Sequence, residues 1–337
     1  MKIVIDDKIP FIRGLFEPYT EVTYLPGSAI DAEAVRDADA LIIRTRTRCN
    51  AALLEGSRVR LIATATIGYD HIDLAYCHTH GIAVSTAAGC NARGVLQWVF
   101  AALLALDMHP EGTTLGIIGV GHVGGAVRAA AEAVGFRVIC CDPPRQQRHE
   151  PGTEHFVSAT ELLQQADVVT VHVLLDETTR GMASTEFFAA AKPGMVFLNS
   201  SRGEVVDEAA LKTALREGRI SRAVLDVWNG EPNIDRELLG MTTLATPHIA
   251  GYSLQGKAMG TTLSVRAVAA HLGLPIDPTW YPAEAPVQHP RSDLSWEWIA
   301  AHMPQHYDIR RDDTALRTTP EQFEELRGNY HFREEFF

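Results

Sequence analysis

The chain has 337 residues, which is too long for one ordinary hydrophobic core and suits two domains with a tail. An apolar fraction of 46% and a charged fraction of 21% exclude a disordered or fibrous protein. The formal net charge of -12 argues against a nucleic-acid partner, because such partners bind basic surfaces. The net charge does not exclude small anionic substrates, since a local basic pocket can lie inside an acidic protein.

Neither secretion nor a membrane partner is predicted. The N-terminus MKIVIDDK lacks an apolar run of signal-peptide length, and no later run is long enough to span a bilayer. The five cysteines include no CxxC pair, which is typical of reduced, buried thiols. We therefore expect a cytoplasmic protein.

Two series of short apolar runs, separated by helix-like stretches, follow one another along the chain. The first comprises KIVID, ALIIR, RLIAT and IAVST. A long Ala/Leu-rich helix at about Ala92–Leu106 leads into the second, which comprises TLGIIG, RVICCD, VVTVHV, MVFLNS, RAVLDVW and TLATPH. Such runs predict buried parallel strands in right-handed βαβ units, and hence an α/β fold with doubly wound parallel sheets.

The remainder of the chain has a different character. A helix is predicted over Leu254–Leu272, and the proline-rich stretch at 275–290 indicates a linker. The charged and aromatic residues beyond it indicate a small C-terminal element of uncertain fold. The predicted divisions are residues 1–91, 92–252, 253–285 and 286–337.

Three glycines stand at Gly119-x-Gly121-x-x-Gly124, between an apolar run and an Ala-rich helix. The first permits a tight turn, the second lets the backbone approach a pyrophosphate, and the third lets helix and strand pack closely. His122 and Val123, within the same loop, are also expected to contact the cofactor, and the N-terminus of the following helix offers N–H groups to the phosphates. A glycine turn without a ligand is the alternative, and the strand–loop–helix setting disfavours it.

Asp142 lies 18 residues beyond Gly124, where a carboxylate can bind the ribose hydroxyls of a dinucleotide. Because a carboxylate there repels a 2′-phosphate, it predicts NAD as the cofactor. Two alternatives stay open: Asp142 could cap a helix that begins at Pro143, and Arg145 nearby could favour NADP.

Arg202, Glu231 and His248 each follow a predicted strand, so their loops meet at one edge of the sheet. Hydride removal from a hydroxyl-bearing carbon needs a base for the proton, and histidine suits that task near neutral pH. A neighbouring carboxylate would orient the imidazole, and an arginine can clamp a substrate carboxylate with paired hydrogen bonds. Each residue alone could equally be structural.

The segments ATATIGYDHID, GIIGVGHVGGAV, NSSRGEVVDEAAL, LDVWNGEP and TPHIAGYS resemble the motifs of the D-isomer-specific 2-hydroxyacid dehydrogenases. The resemblance covers about residues 1–280. It implies that Arg202 and Glu231 are catalytic, that His248 exchanges the proton, and that Asp226 and Gly251 lie at the cofactor. It also implies a flavodoxin-like substrate domain, split in sequence around a Rossmann-type NAD domain.

The run Arg44-Thr45-Arg46-Thr47-Arg48 bears on the substrate. At strand spacing its three arginines would share one face, and their mutual repulsion would be relieved by a phosphate. A solvated basic loop is the alternative. AGCNA, CDPPR and HIAGYSLQGKAMGTT resemble a branch of the same family that oxidises a phosphorylated sugar acid. That resemblance implies that Thr45, Thr66 and Tyr252 contact the substrate.

The chain departs from the family pattern in two places. Val173-Leu174 stands where a Thr-Pro or similar pair is usual near the cofactor, which puts one cofactor contact in doubt. YDIRRDDTALR and FEELRGNYHFREE resemble that branch's dimerisation domain, but the chain stops at Phe337, soon after them. We therefore expect a homodimer that uses a reduced element.

The sequence also bears on two other functions and on a metal site. A 3-phosphoglycerate dehydrogenase would share the fold, the catalytic residues and a phosphorylated substrate, but the tail lacks the character of a regulatory domain. An NAD-sensing corepressor would keep the fold, but the Arg, Glu and His set argues for catalysis. A metal site at His71, His78 and His80 is not expected, because no carboxylate or cysteine spacing completes it.

Overall fold

The computed structural model describes residues 1–287, 291 and 293–337. The strands within these residues are β1 Lys2–Asp6, β2 Glu21–Leu25, β3 Ala40–Ile43, β4 Leu61–Thr64, β5 Ala83–Thr86, β6 Thr114–Ile118, β7 Arg137–Cys141, β8 Val168–Val171, β9 Met195–Asn199, β10 Ile220–Leu225 and β11 Leu244–Ala245.

The α-helices of the described residues are α1 Ala32–Val35, α2 Ala51–Leu54, α3 Leu74–Thr79, α4 Ala92–Ala105, α5 His122–Ala133, α6 Pro143–Gln147, α7 Ala159–Gln165, α8 Thr185–Ala190, α9 Glu208–Arg216, α10 Arg236–Met241, α11 Leu254–Leu272, α12 Trp296–His306, α13 Ile309–Thr318 and α14 Phe323–Gly328. Short 3-10 helices lie at Gly27–Ala29, Gly203–Val205 and Pro320–Gln322.

The chain forms two compact units. Unit 1 is Met1–Asn91 with the segment that begins at Ser253, and unit 2 is Ala92–Tyr252 with the C-terminal segment. The sheet of unit 1 has the order β2-β1-β3-β4-β5, and all its strand pairs are parallel. Alternate residues of β1 and β3 enter two separate cores, because successive side chains of a strand point to opposite faces. One of these cores includes Val265 and Val268 of α11.

Unit 2 has a six-stranded parallel sheet of order β11-β10-β9-β8-β6-β7. Helices α4 and α5 cover one face, where Trp98, Phe100 and Val127 are fully buried. Helices α7, α8 and α9 cover the other face, where Phe188 packs edge-on against Phe197 of β9. This doubly wound arrangement confirms the predicted fold class.

The C-terminal helices pack on both faces of unit 2. Trp296 of α12 packs against Phe100 and Phe136 on one face, while Leu316 of α13 and Phe323 of α14 are buried in the core of the other. These contacts attach the C-terminal segment to the unit that carries the predicted glycine loop.

The predicted strands and the helix Leu254–Leu272 are confirmed, but strand β2 was missed. Its segment EVTYL is a half-exposed edge strand with no buried residue, so it lacks the apolar run that identified the others. The five cysteines are buried and free, as predicted. Among the described helices, none is long and apolar enough to cross a membrane.

Candidate active site

The loops that carry the predicted catalytic residues follow three neighbouring strands of unit 2. Asn199 at the end of β9 lies opposite Leu225 of β10, and Leu225 lies opposite Ala245 of β11. Because the strands are parallel, their carboxyl ends meet at one edge of the sheet, where α/β proteins bind ligands. The loop of Arg202 follows β9, that of Glu231 follows β10, and that of His248 follows β11.

His248 and Glu231 form a hydrogen-bonded pair at this edge. Nδ1 of His248 lies 2.8 Å from Oε2 of Glu231, and Oε1 accepts a bond from the Trp228 N–H at 3.0 Å. Burial by itself raises the pKa of Glu231, but the charge and hydrogen bond of His248 and the Trp228 N–H outweigh burial, so that pKa is lowered. Glu231 is therefore an anion, so Nδ1 of His248 is the donor in this bond and Nε2 takes no part in it.

Asp226 anchors the loop that holds His248. It is 1% exposed, and its carboxylate accepts bonds from the Thr246 hydroxyl at 2.6 Å and from the N–H groups of Ile249 and Ala250 at 2.8 and 3.0 Å. Its carbonyl accepts the His248 N–H at 2.7 Å. His248 has a φ of 58°, a left-handed conformation that strains an ordinary residue by roughly 1–3 kcal/mol. The bonds to Asp226 hold this conformation.

Burial raises the pKa of Asp226, although the charge of His248, the Thr246 hydroxyl and the two N–H groups oppose the change. Both oxygens accept bonds from the protein. The structure therefore gives Asp226 a role in fixing the histidine loop, and its contact with the cofactor stays a prediction, as does that of Gly251.

Arg202 lies on a tightly bonded turn. The buried Asn199 accepts bonds from the hydroxyl and the N–H of Ser201 and donates one to the Arg202 carbonyl at 2.9 Å. The next residue, Gly203, approaches the neighbouring loop so closely that a Cβ there would lie 2.0 Å from the carbonyl carbon of Trp228. The loops of Arg202 and Glu231 are thus packed against each other through a position where only glycine fits.

Arg327 of α14 was missed by sequence reasoning. Its Nε donates to the Tyr252 hydroxyl at 3.1 Å, and its Nη1 lies 4.0 Å from Oε2 of Glu231. The ring of Tyr252 also packs edge-on against Tyr330 and Phe332, at centroid distances of 6.0 and 5.8 Å. The C-terminal segment therefore surrounds a residue that was predicted to contact the substrate.

Arg333 is a second arginine that the sequence did not reveal, and it forms hydrogen bonds with the loop that carries His248. It is 6% exposed and donates to the carbonyls of Ile249 at 3.1 Å, Gly94 at 3.0 Å and Ala250. The loop is thus held from two sides, because Asp226 binds its N–H groups and Arg333 binds its carbonyls. No local pattern in the sequence separates Arg327 and Arg333 from exposed arginines such as Arg311.

The glycine loop of unit 2 fits a dinucleotide. Gly119 has a φ of +84°, and a Cβ there would lie 2.6 Å from the His172 carbonyl. A Cβ at Gly124 would lie 2.0 Å from the Gly119 carbonyl, so the helix and strand pack as closely as predicted. At Gly121 a Cβ would meet no described atom within 4 Å, so the backbone there borders space that a ligand can approach. Helix α5 begins at His122.

Asp142 lies at the end of strand β7, where it was predicted to bind a ribose, and it also caps the helix that begins at Pro143. It follows β7 and caps α6, accepting the Arg145 N–H at 3.1 Å, while its other oxygen accepts the Val120 N–H at 2.8 Å. The Arg145 side chain is bonded to Glu150 and to the Val120 carbonyl. This engagement of Arg145 counts against its use for a 2′-phosphate.

His172 ends the strand run VVTVH beside the glycine loop. Its side chain is half-buried, and desolvation by the surrounding protein lowers its pKa to about 3. A ring nitrogen, Nε2, lies 3.0 Å from the Thr170 hydroxyl. His172 is therefore neutral at physiological pH. The next two residues are the pair that departs from the family pattern. Val173 packs against the core, and Leu174 is 49% exposed.

The arginine run of unit 1 does not have the predicted strand spacing. Strand β3 ends at Ile43, and residues 44–47 form a turn closed by the Thr47 N–H bonding to the Arg44 carbonyl. Arg44 forms a fork with the fully buried Asp6, with two hydrogen bonds of 3.0 Å. The expectation that Arg44, Arg46 and Arg48 share one face is wrong, because a turn rotates successive side chains. Arg46 and Arg48 are exposed.

The predicted substrate threonines of unit 1 are partly exposed. Thr45 lies in the turn after β3. The Thr66 hydroxyl lies 2.7 Å from that of Thr64 and donates to the Gly68 carbonyl at 3.2 Å. Their contacts with a substrate stay predictions.

Comparison with known proteins agrees with this architecture. Residues 97–250 match the family model described as the NAD binding domain of D-isomer specific 2-hydroxyacid dehydrogenase. The NAD⁺-bound 3-phosphoglycerate dehydrogenase of Entamoeba histolytica is 25% identical, with a TM-score of 0.68 over 81% of this chain and 95% of that one. The D-lactate dehydrogenase of Aquifex aeolicus, complexed with NAD and lactic acid, is 24% identical with a TM-score of 0.62, covering 81% of this chain and 96% of that one.

Similarity to curated proteins is higher and extends over nearly the whole chain. The erythronate-4-phosphate dehydrogenase of Bacteroides fragilis is 44% identical over 99% of this chain and 97% of its own length. The enzymes of that name from Ectopseudomonas mendocina and Escherichia coli are 41% and 40% identical, covering 99% and 100% of this chain and 93% and 92% of their own lengths. These similarities confirm the resemblance drawn from the motifs.

Proposed function

We propose that this chain, which belongs to the D-isomer-specific 2-hydroxyacid dehydrogenase family and within it to the erythronate-4-phosphate dehydrogenases, oxidises 4-phospho-D-erythronate with NAD. The product is 2-oxo-3-hydroxy-4-phosphobutanoate, and the resemblance implies that it is used to form pyridoxal 5′-phosphate. The observation that carries the proposal is the His248–Glu231 pair, at 2.8 Å, which lies at the same edge of the sheet as the glycine loop.

The proton and the hydride leave the substrate by different routes. When bound, NAD supplies the acceptor for the hydride from C2. His248 takes the proton of the C2 hydroxyl at Nε2, because Nδ1 is engaged by Glu231. Glu231 stabilises the imidazolium that results, as a carboxylate does for a catalytic histidine. Arg202 binds the substrate carboxylate, for which a guanidinium has matching paired donors.

Further residues hold the two ligands. The cofactor residues in this proposal are Gly119, Gly121, His122, Val123, Gly124, Asp142, Asp226 and Gly251. The substrate residues are Thr45, Arg46, Thr66 and Tyr252, with Arg44 supporting the turn through Asp6. Unit 1 is then the substrate-binding domain and unit 2 the cofactor domain. The active form is a cytoplasmic homodimer.

Purified full-length protein tests the proposal with three substrates: 4-phospho-D-erythronate, unphosphorylated D-erythronate and 3-phospho-D-glycerate. Formation of the oxidised 2-oxo product is followed with and without a second, added 2-oxo acid, which can reoxidise tightly held NADH in place and so permit repeated turnover. We expect kcat/KM to be highest with 4-phospho-D-erythronate. Preference for 3-phospho-D-glycerate would assign the alternative dehydrogenase activity. NAD binding without oxidation of any of the three would favour the corepressor function.

A further inference from the structure

The guanidinium of Arg327 lies between two residues that the proposed reaction uses. It donates from Nε to the Tyr252 hydroxyl at 3.1 Å, and its Nη1 lies 4.0 Å from Oε2 of Glu231. The same Oε2 pairs with Nδ1 of His248 at 2.8 Å. Arg327 and His248 thus share one carboxylate oxygen, and all the atoms concerned lie in unit 2.

Arg327 is held in place as a cation. Its side chain is 16% exposed. Burial by itself lowers its pKa, but the Tyr252 hydroxyl and the Glu231 carboxylate outweigh burial, and the pKa is raised. A planar guanidinium can bond the hydroxyl and face the carboxylate at once, which a single ammonium group does less well.

The attachment of α14 does not depend on Arg327. Phe323 of the same helix is fully buried, and the preceding helix is attached by Arg317, which donates to the carbonyls of Leu239 and Thr242. A neutral residue at position 327 therefore removes the contacts with Glu231 and Tyr252 while the helix stays packed.

We infer that Arg327 is a positioning residue for the oxidation: it holds the Glu231 carboxylate against His248 and fixes the hydroxyl of Tyr252. The inference deepens the proposed function and rests on it. Arg327 acts through Glu231 and Tyr252 and does not itself exchange the proton. It makes the C-terminal segment part of the active-site architecture within one chain, in addition to any contribution to dimerisation.

The charge of Arg327 gives the inference a pH signature. A cation beside Glu231 weakens the attraction between that carboxylate and a protonated His248, so removing it favours the imidazolium. Oxidation needs the neutral imidazole, and the acid limb of the kcat/KM profile should therefore move to higher pH. The ionisable groups around the pair that the described contacts show, and that stay in place, include Asp226, Tyr252, Tyr330 and Arg333, which bonds the Tyr330 hydroxyl.

Arg327→Met removes the charge at similar length, and Arg327→Lys keeps the charge with fewer donors. Arg317→Met is the control, because Arg317 is another hydrogen-bonded arginine of the C-terminal segment and contacts neither Glu231 nor Tyr252 in the described contacts. The readouts are kcat and KM between pH 6 and 9, the Tm, and the pH at which the imidazole NMR signals of His248 move, identified by their loss in His248→Asn.

For Arg327→Met we expect kcat to fall about 10- to 100-fold, with a change in substrate KM of less than about threefold. The acid limb and the His248 signals should move up by roughly half a pH unit to one pH unit. Arg327→Lys should return the acid limb of the kcat/KM profile to its wild-type pH but recover only part of kcat. Arg317→Met should lower the Tm without moving the acid limb.

Three results would overturn the inference. The first is an acid limb of the kcat/KM profile that stays at the wild-type pH in Arg327→Met. The second is a fall in kcat that only follows the fall in Tm, as in Arg317→Met. The third is a rise in KM at constant kcat, which would make Arg327 a substrate ligand. Failure of the wild type to oxidise 4-phospho-D-erythronate would refute the proposed function instead. The NMR titration of His248 would then still decide the inference.

Discussion

Replacing Arg333 with methionine should destabilise unit 2 and disturb the histidine loop together. The guanidinium donates to the carbonyls of Ile249, Gly94 and Ala250 and stacks 4.2 Å above the ring of Tyr307. A buried acceptor that loses its donor costs about 1–3 kcal/mol. The Ile249 carbonyl keeps a second bond, from the Tyr252 N–H at 2.8 Å. The Gly94 carbonyl likewise keeps its bond within helix α4, so the loss falls mainly on the Ala250 carbonyl and gives about 1–3 kcal/mol.

Guanidinium chloride unfolding followed by tryptophan fluorescence measures this effect. Of the five tryptophans, Trp280 lies in the segment of unit 1 and the others lie in unit 2, so the signal reports mainly on unit 2. Arg310→Met is the matched control, since Arg310 makes one exposed bond, to the Ala105 carbonyl at 3.1 Å. We expect its cost to stay below about 1 kcal/mol.

Activity completes the test of Arg333. Because the loop that it binds carries His248, kcat should fall at temperatures where Arg333→Met is still folded. An Arg333→Met protein as stable as Arg310→Met, with wild-type kcat, would refute the view that the C-terminal segment holds the catalytic loop.

Four further outcomes follow from the site. His248→Asn should fold and bind NAD but lose on the order of a hundredfold or more in kcat, and near wild-type turnover across neutral pH would remove His248 from the mechanism. Asp142→Ser should weaken NAD binding and narrow the preference over NADP, which direct binding measurements would check; a parent protein that used both cofactors equally would contradict this assignment. Arg46→Ala should raise the KM for 4-phospho-D-erythronate about ten- to a hundredfold with a smaller change in kcat, whereas Arg44→Ala should mainly lower the Tm. Equal KM values for erythronate and its phosphate in the wild type would count against a phosphate contact. Burial raises the pKa of Asp312 to about 6, above its value in the unfolded chain, so the free energy of unfolding should fall as pH rises from about 4 to 6. Urea titrations should show a smaller fall in Asp312→Asn. The same dependence of the free energy of unfolding on pH in both proteins would show that Asp312 stays ionised.

Much of the fold could be predicted because its signals are local. The buried strands of both sheets are short apolar runs, and the glycine loop combines a left-handed turn with two close approaches, each of which needs glycine. Helix α11 has the predicted bounds. Strand β2 escaped prediction because an edge strand with half-exposed side chains has no apolar run.

The site was predictable only where a residue follows a strand or matches a family motif. Arg202, Glu231 and His248 do both, and the Glu231–His248 contact follows from strand order. Arg327 and Arg333 reach the same loops from the far end of the chain, and such long-range contacts leave no mark in local spacing. Arg44 shows the opposite failure, since it was assigned to phosphate from its spacing but is paired with Asp6, 38 residues earlier.

The central claim is that this chain moves hydride from C2 of 4-phospho-D-erythronate to NAD. Substrate that carries deuterium at C2 tests it most directly, in a single turnover with excess protein and mass analysis of the dinucleotide. We expect one deuterium in each NADH formed, and loss of this transfer in His248→Asn at neutral pH. Unlabelled NADH, or no reduced cofactor from the wild-type protein, would contradict it.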